Sequence, residues 1–117
     1  MKKLRPYLLS LIIILVSQLA ACAPVAPNKA TITMNEMAFA QSEITIKAGQ
    51  PVTVRLVNRD GYAHAFDIDE FDIHTSLAAN ETTEAIFIPE KPGRYPFYCS
   101  SPGHEMAGMA GTLIVEP

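Results

Sequence analysis

Between Cys99 and Met109, in CSSPGHEMAGM, eleven residues hold one cysteine, one histidine and two methionines. A thiolate, an imidazole and a thioether are the soft and borderline donors that suit a Cu(I)/Cu(II) couple. Two histidines and a cysteine with a weak axial methionine make a mononuclear copper centre for electron transfer. One histidine is missing from the segment, so the rest of the chain must supply it. The candidates are His64 and His74. His64 follows the strand-and-turn run Val57 to Ala63 and stands where a loop hands over to the next strand. Alternation over Phe71-Asp72-Ile73-His74 puts His74 on the face opposite Phe71 and Ile73, a solvated surface position.

The spacing within the segment has its own consequences. Cys99 ends a strand over Arg94–Cys99, and the four residues before His104 include Pro102 and Gly103, a tight turn able to return the imidazole to the same metal. Gly108 and Gly111 flank Met109 and give the backbone freedom that lets its sulfur approach axially. Met106, two residues past His104, has less slack for that role and reads as an apolar loop side chain beside Pro102 and Ala107.

These residues must be held by a scaffold, and the sequence offers one. Thr31–Met34, Glu43–Lys47 and Val52–Val57 alternate apolar and polar residues, with a turn at Ala48–Pro51. Further strands are expected over His64–Ile68, Phe71–Leu77, Thr83–Ile88, Arg94–Cys99 and Thr112–Val115. No stretch from Thr31 onward keeps a helical period for more than about two turns. Seven to eight short strands at roughly 8–12-residue spacing predict an all-β sandwich. Its expected core is Ile32, Ile44, Ile46, Val52, Val54, Leu56, Ile86, Ile88, Tyr95, Phe97, Leu113 and Val115.

The 117-residue chain has room for one such domain, residues 31–117. Residues 1–21 read as an export signal: Lys2, Lys3 and Arg5 precede an apolar run over Leu8–Val16 that only Ser10 interrupts. The alternative, an uncleaved membrane anchor, would rest on Tyr7–Ala21, 15 residues and short of the roughly 20 a spanning helix needs. The apolar run closes on Leu19-Ala20-Ala21-Cys22, which resembles the bacterial lipobox. That resemblance implies lipidation of Cys22 and a location outside the cytoplasm at a membrane; Ala23–Ala30, with no hydrophobic period, reads as a mobile Pro/Ala tether, so residues 22–30 hold the lipidated cysteine and the tether. More than one acyl chain is needed for stable anchoring.

Without Lys2, Lys3 and Arg5, six of the nine basic residues face twelve acidic ones, a net charge of about −6, which argues against nucleic acid as a partner. With Cys22 lipidated, Cys99 is the single remaining thiol and no internal disulfide can form. An unpaired cysteine in an oxidising compartment points to burial, an intermolecular bond or a metal.

From Gly49 to Val115 the sequence resembles the cupredoxins, type 1 blue copper proteins of the plastocyanin/azurin kind. The resemblance is carried by Gly49, Val52–Asn58, His64, Phe87-x-Pro89, Pro92-Gly93-x-Tyr95, Cys99, Pro102-Gly103-His104, Gly108-Met109 and Gly111-Thr112-Leu113. It implies a Greek-key β-sandwich and one copper per domain, held by His64, Cys99 and His104 with Met109 axial. It also implies a monomeric, non-enzymatic carrier whose redox partner proteins dock on an apolar patch around His104, here Pro102, Met106 and Ala107. The pattern departs at Ala65, where such proteins usually carry asparagine or another hydrogen-bonding residue. Asn58 or Ser100 are the residues able to stand in for that bond.

Other copper functions demand residues that are missing or misplaced. The binuclear centre of cytochrome oxidase subunit II needs a second cysteine where Gly103 stands. A copper enzyme needs further histidines, and only His74 is spare. An extracytoplasmic copper carrier or buffer, the alternative reading, would use clustered methionines, but only Met106 and Met109 lie together in the ligand loop, while Met34 and Met37 lie far off in sequence.

Overall fold

The computed structural model describes residues 28–117. The signal segment, Cys22 and the tether as far as residue 27 lie outside the described residues. The strands are β1 (Asn28–Asn35), β2 (Ala38–Phe39), β3 (Glu43–Lys47), β4 (Val52–Asn58), β5 (His64–Ile68), β6 (Ile73–Leu77), β7 (Thr82–Phe87), β8 (Gly93–Tyr98) and β9 (Ala110–Glu116), with one 3-10 turn at Asp69–Phe71. They form two mixed sheets, ordered β2-β1-β4-β7 and β3-β9-β8-β5-β6, and the fold is the expected all-β sandwich. The ninth strand is the two-residue β2, too short to leave an alternation in the sequence.

β1 begins inside the stretch assigned to the tether. Asn28, Lys29 and Ala30 pair in parallel with Val52, Thr53 and Val54, and the Asn28 side chain exchanges two hydrogen bonds with the Lys47 backbone. Residues 28–30 thus belong to the sheet, where a parallel partner satisfies backbone groups that a tether would leave to water.

β4 buries Val52, Val54 and Leu56 while β3 buries Ile44 and Ile46. Ile86 and Ile88, expected in the core, are instead 63% and 53% exposed. The pairing of β4 with β7 explains it. Val52 lies opposite Phe87 and Val54 opposite Ala85, and directly paired residues share a face. Inward valines thus carry Ala85 and Phe87 inward and send Ile86 out beside Thr53. Tyr95 is half-buried at the core's margin.

Beneath the Cys99 loop, Phe39, Phe66 and Phe97 pack edge-on or tilted, with centroids 5.2–6.2 Å apart. This packing imposes the demand at Gly111. A Cβ there would lie 2.3 Å from Phe97 Cζ and 2.6 Å from the Ser42 carbonyl oxygen. Gly111 is required for space rather than for the backbone freedom expected of it. Gly111→Ala is predicted to lower the stability of the metal-free domain by about 1–3 kcal/mol through overpacking. A urea unfolding midpoint indistinguishable from that of the native protein would refute the close approach.

Candidate metal centre

The cysteine loop is a series of interlocked turns rather than one tight turn. The His104 N–H donates to the Ser101 carbonyl, the Ala107 N–H to the Gly103 and His104 carbonyls, and the Gly108 N–H to that of Glu105. Gly103 and Gly108 adopt φ of +83° and +94°, left-handed conformations that glycine enters without steric cost. Two bonds seal the loop: the Cys99 N–H donates to the Met109 carbonyl, and the Met109 N–H to that of His104, each at 3.0 Å. Met109 and Cys99 are fully buried, and His104 is half-buried.

His64, the first residue of β5, completes the set. Its Nδ1 lies 3.1 Å from His104 Nδ1 and 3.9 Å from Cys99 Sγ, and His104 Nδ1 lies 3.5 Å from the same sulfur. Such a triangle suits an ion bonded at about 2.0 Å to nitrogen and about 2.3 Å to thiolate sulfur. The donor chemistry fits as well. Asp60 Oδ2 stands 2.7 Å from His64 Nε2, so the ring proton is committed there and the Nδ1 lone pair faces His104 and the sulfur. With Met109 buried at the loop's end, His64, Cys99, His104 and Met109 are placed as a copper site. Gly103, where a second cysteine would stand in a binuclear centre, occupies a conformation that a side chain would strain. Among the described residues Cys99 is the only cysteine.

The surrounding hydrogen bonds answer the departure at Ala65. Its N–H donates to Cys99 Sγ at 3.2 Å, a contact that asks nothing of the side chain. The tie between β5 and the cysteine loop is made by Asp67, whose Oδ2 accepts the Ser100 N–H at 3.1 Å. Asn58 does not substitute for it. Its amide donates to the Tyr62 and Ala78 carbonyls, both at 2.8 Å, and its carbonyl accepts the Asp60 N–H, which fixes the loop leading to His64. His74 lies outside the donor set, on the surface as expected, with a side chain 55% exposed. It bonds the other Asp67 oxygen at 3.0 Å, a supporting contact that alternation could not disclose.

Sequence reasoning missed Asp60 and Asp67. Asp60 sits in Asn58-Arg59-Asp60-Gly61, which reads as an ordinary turn. The available signal was a carboxylate four residues ahead of a ligand histidine, since metal-bound histidines commonly donate their second N–H to such a group. Burial pushes the Asp60 carboxyl up, but hydrogen bonds from His64 and from the Glu36 and Met37 backbone outweigh it and hold the group below its ordinary value. Tyr62 packs over both rings, with centroids 5.1 Å from His64 and 6.1 Å from His104. Partial burial, followed by the Asp60 charge, raises its phenol. Pro102, Met106 and Ala107 are all exposed, Met106 at 95%.

Asn58→Ala is predicted to strand two carbonyls and the Asp60 N–H, costing about 1–3 kcal/mol. It should also speed hydrogen exchange in the 58–64 loop of the metal-free protein, and unchanged exchange there would show that the clamp is dispensable.

Residues 7–115 match the family model for a cupredoxin-like domain. The chain is 32% identical over 96 residues to a nitrous-oxide reductase from Stutzerimonas stutzeri, across 77% of this chain and 15% of that protein. It is 27% identical over 113 residues to Auracyanin-B from Chloroflexus aurantiacus, across 69% of this chain and 48% of that one. The chain thus spans about half or less of the length of these two relatives. The solved structure of dithionite-reduced auracyanin from Roseiflexus castenholzii is similar with a TM-score of 0.71 at 22% identity, covering 79% of this chain and 99% of that one.

Proposed function

The chain belongs to the cupredoxin-like family, and from that premise we propose that it is a one-electron carrier built on a mononuclear type 1 copper site, tethered to a membrane outside the cytoplasm. The observation that carries the reading is the triangle of His64 Nδ1, His104 Nδ1 and Cys99 Sγ, with edges of 3.1–3.9 Å. Bound copper supplies the change between Cu(II) and Cu(I).

The chain's residues supply fixity and access. His64 is held by Asp60, Cys99 by the Met109 carbonyl and the Ala65 N–H, and His104 by the turns around it. Donors fixed in this way need little rearrangement when the ion's charge changes, which favours rapid electron transfer. In this reading His64, Cys99 and His104 would hold the ion and Met109 would supply the weak thioether donor. The half-buried His104, rimmed by exposed Pro102, Met106 and Ala107, is the point of exit, and the patch is the docking surface for redox partner proteins. The acidic chain suits basic partners rather than nucleic acid, and the carrier works as a monomer. Lipidated Cys22 would keep it at the membrane.

Adding Cu(II) to the purified domain is expected to give an intense thiolate-to-copper visible band that Cys99→Ser abolishes. A colourless protein with ordinary Cu(II) spectra would rule the reading out. Reversible voltammetry with copper retained against a Cu(I) chelator separates the electron carrier from a copper carrier or buffer, which would surrender the metal. Lipid on Cys22, sought by mass spectrometry of the N-terminus, tests the anchor.

Met106→Lys is expected to leave the visible band in place. It should slow electron self-exchange between two copies at least several-fold, because it puts like charges face to face at the contact. An unchanged self-exchange rate would move the docking surface elsewhere.

A further inference from the structure

Asp60 belongs to no donor set, yet the geometry around it is built with care. Its side chain is 8% exposed, and its Oδ2 accepts His64 Nε2–H at 2.7 Å. Oδ1 accepts the Glu36 N–H at 2.9 Å, and Oδ2 also lies 3.3 Å from the Met37 nitrogen. Glu36 and Met37 form the tip between β1 and β2 and have φ of 53° and 58°, a conformation uncommon for residues with side chains. Both N–H groups are thereby aimed at one carboxylate. From below, Asn58 Oδ1 accepts the Asp60 N–H at 2.9 Å. The β1–β2 tip, bonded to the carboxylate, and Asn58, bonded to the Asp60 backbone, therefore fix the carboxylate against the far edge of His64.

On the reading of a mononuclear copper site, which this inference takes as given, we propose that Asp60 is a positioning residue that sets the donor strength of His64 and with it the Cu(II)/Cu(I) balance. The physical reason is the charge of the acceptor. An imidazole whose Nε2–H is given to a carboxylate gains electron density at Nδ1, and outer hydrogen-bond partners of this kind raise ligand basicity. A stronger nitrogen donor stabilises Cu(II) more than Cu(I). The same bond fixes the tautomer and the ring plane, so the Nδ1 lone pair stays aimed at the donor triangle. His104, half-buried under Tyr62 and beside solvent, lies outside this carboxylate's reach, so the two imidazoles are electronically unlike. A role limited to anchoring the β1–β2 tip would need only the two backbone bonds and no contact with His64.

Two measurements decide the point. In the native Cu(II) protein, electron spin echo modulation from the remote ring nitrogens is expected to resolve two different couplings, one for the carboxylate-bound nitrogen of His64 and one for that of His104. In Asp60→Asn, which keeps the shape and removes the charge, the two couplings should converge. Affinity for Cu(II) relative to Cu(I) should fall about tenfold or more, which for a one-electron couple raises the reduction potential by about 59 mV or more. A blue native protein with equivalent remote nitrogens would overturn the inference without any variant, so a poorly folding Asp60→Asn leaves it decidable. A folded variant with unchanged couplings and potential would also overturn it and reduce Asp60 to an anchor. Failure of the copper reading is distinct, because it shows as a native protein with no intense visible band.

Discussion

Everything in the centre depends on keeping one sulfur buried among donors that point at it from fixed backbone. Cys99, the residue after β8, is fully buried. Its own N–H is tied to the Met109 carbonyl, its sulfur accepts the Ala65 N–H, and the next N–H, on Ser100, goes to Asp67. These three bonds lead to three different places: the end of the ligand loop, the start of β5 and the middle of β5. Backbone donors of this kind are set by sheet register and cost no side-chain entropy. The position of the sulfur is therefore a property of the sandwich rather than of the loop.

The two buried acids extend that logic outward. A buried carboxylate is tolerable only when hydrogen-bonded or paired with a positive group, and each of these is met on both oxygens. Asp60 joins the β1–β2 tip to His64, and Asp67 joins His74 on β6 to the cysteine loop. Each acid thus connects a ligand-bearing segment to a part of the sheet that touches no ligand. The tip residues illustrate the demand, because Glu36 and Met37 both hold left-handed φ. That costs of order 1 kcal/mol or more for each residue, and the Asp60 carboxylate offsets it.

The division between what was legible in the sequence and what was not follows from this wiring. The donor set could be read because each ligand type is rare and the spacing is local: Cys99, His104 and Met109 fall in one loop, and His64 is marked by its place at a loop-to-strand junction. Most strands were legible by alternation, as at Ile44/Ile46 and Val52/Val54/Leu56. Thr83 to Ile88 misled because isoleucines at 86 and 88 outweighed Ala85 in the pattern, whereas the cross-strand partners Val52 and Val54 set the face. Asp60, Asp67 and His74 act through contacts 4–33 residues away in sequence. Without a partner in view, each looks like an ordinary turn or surface residue. Gly111 shows the same limit, since only the position of the Phe97 ring reveals why no side chain is permitted.

The outer side of the site follows a different principle from the inner one. Toward the core, Cys99 and Met109 join the buried cluster that holds Phe66 and Phe97, and among the described residues no buried side-chain nitrogen or oxygen lacks a hydrogen-bond partner. Toward solvent, the loop that carries His104 exposes Pro102, Met106 and Ala107, and Tyr62 adds a partly exposed ring beside the two imidazoles. Apolar exposure on a surface this acidic is informative because it runs against the composition. Toward the core the donors are fixed by backbone and carboxylate bonds, and toward solvent the half-buried His104 is bordered by exposed Pro102, Met106 and Ala107. Both features fall on one eleven-residue loop, with its two left-handed glycines at its turns and its one buried methionine at its end.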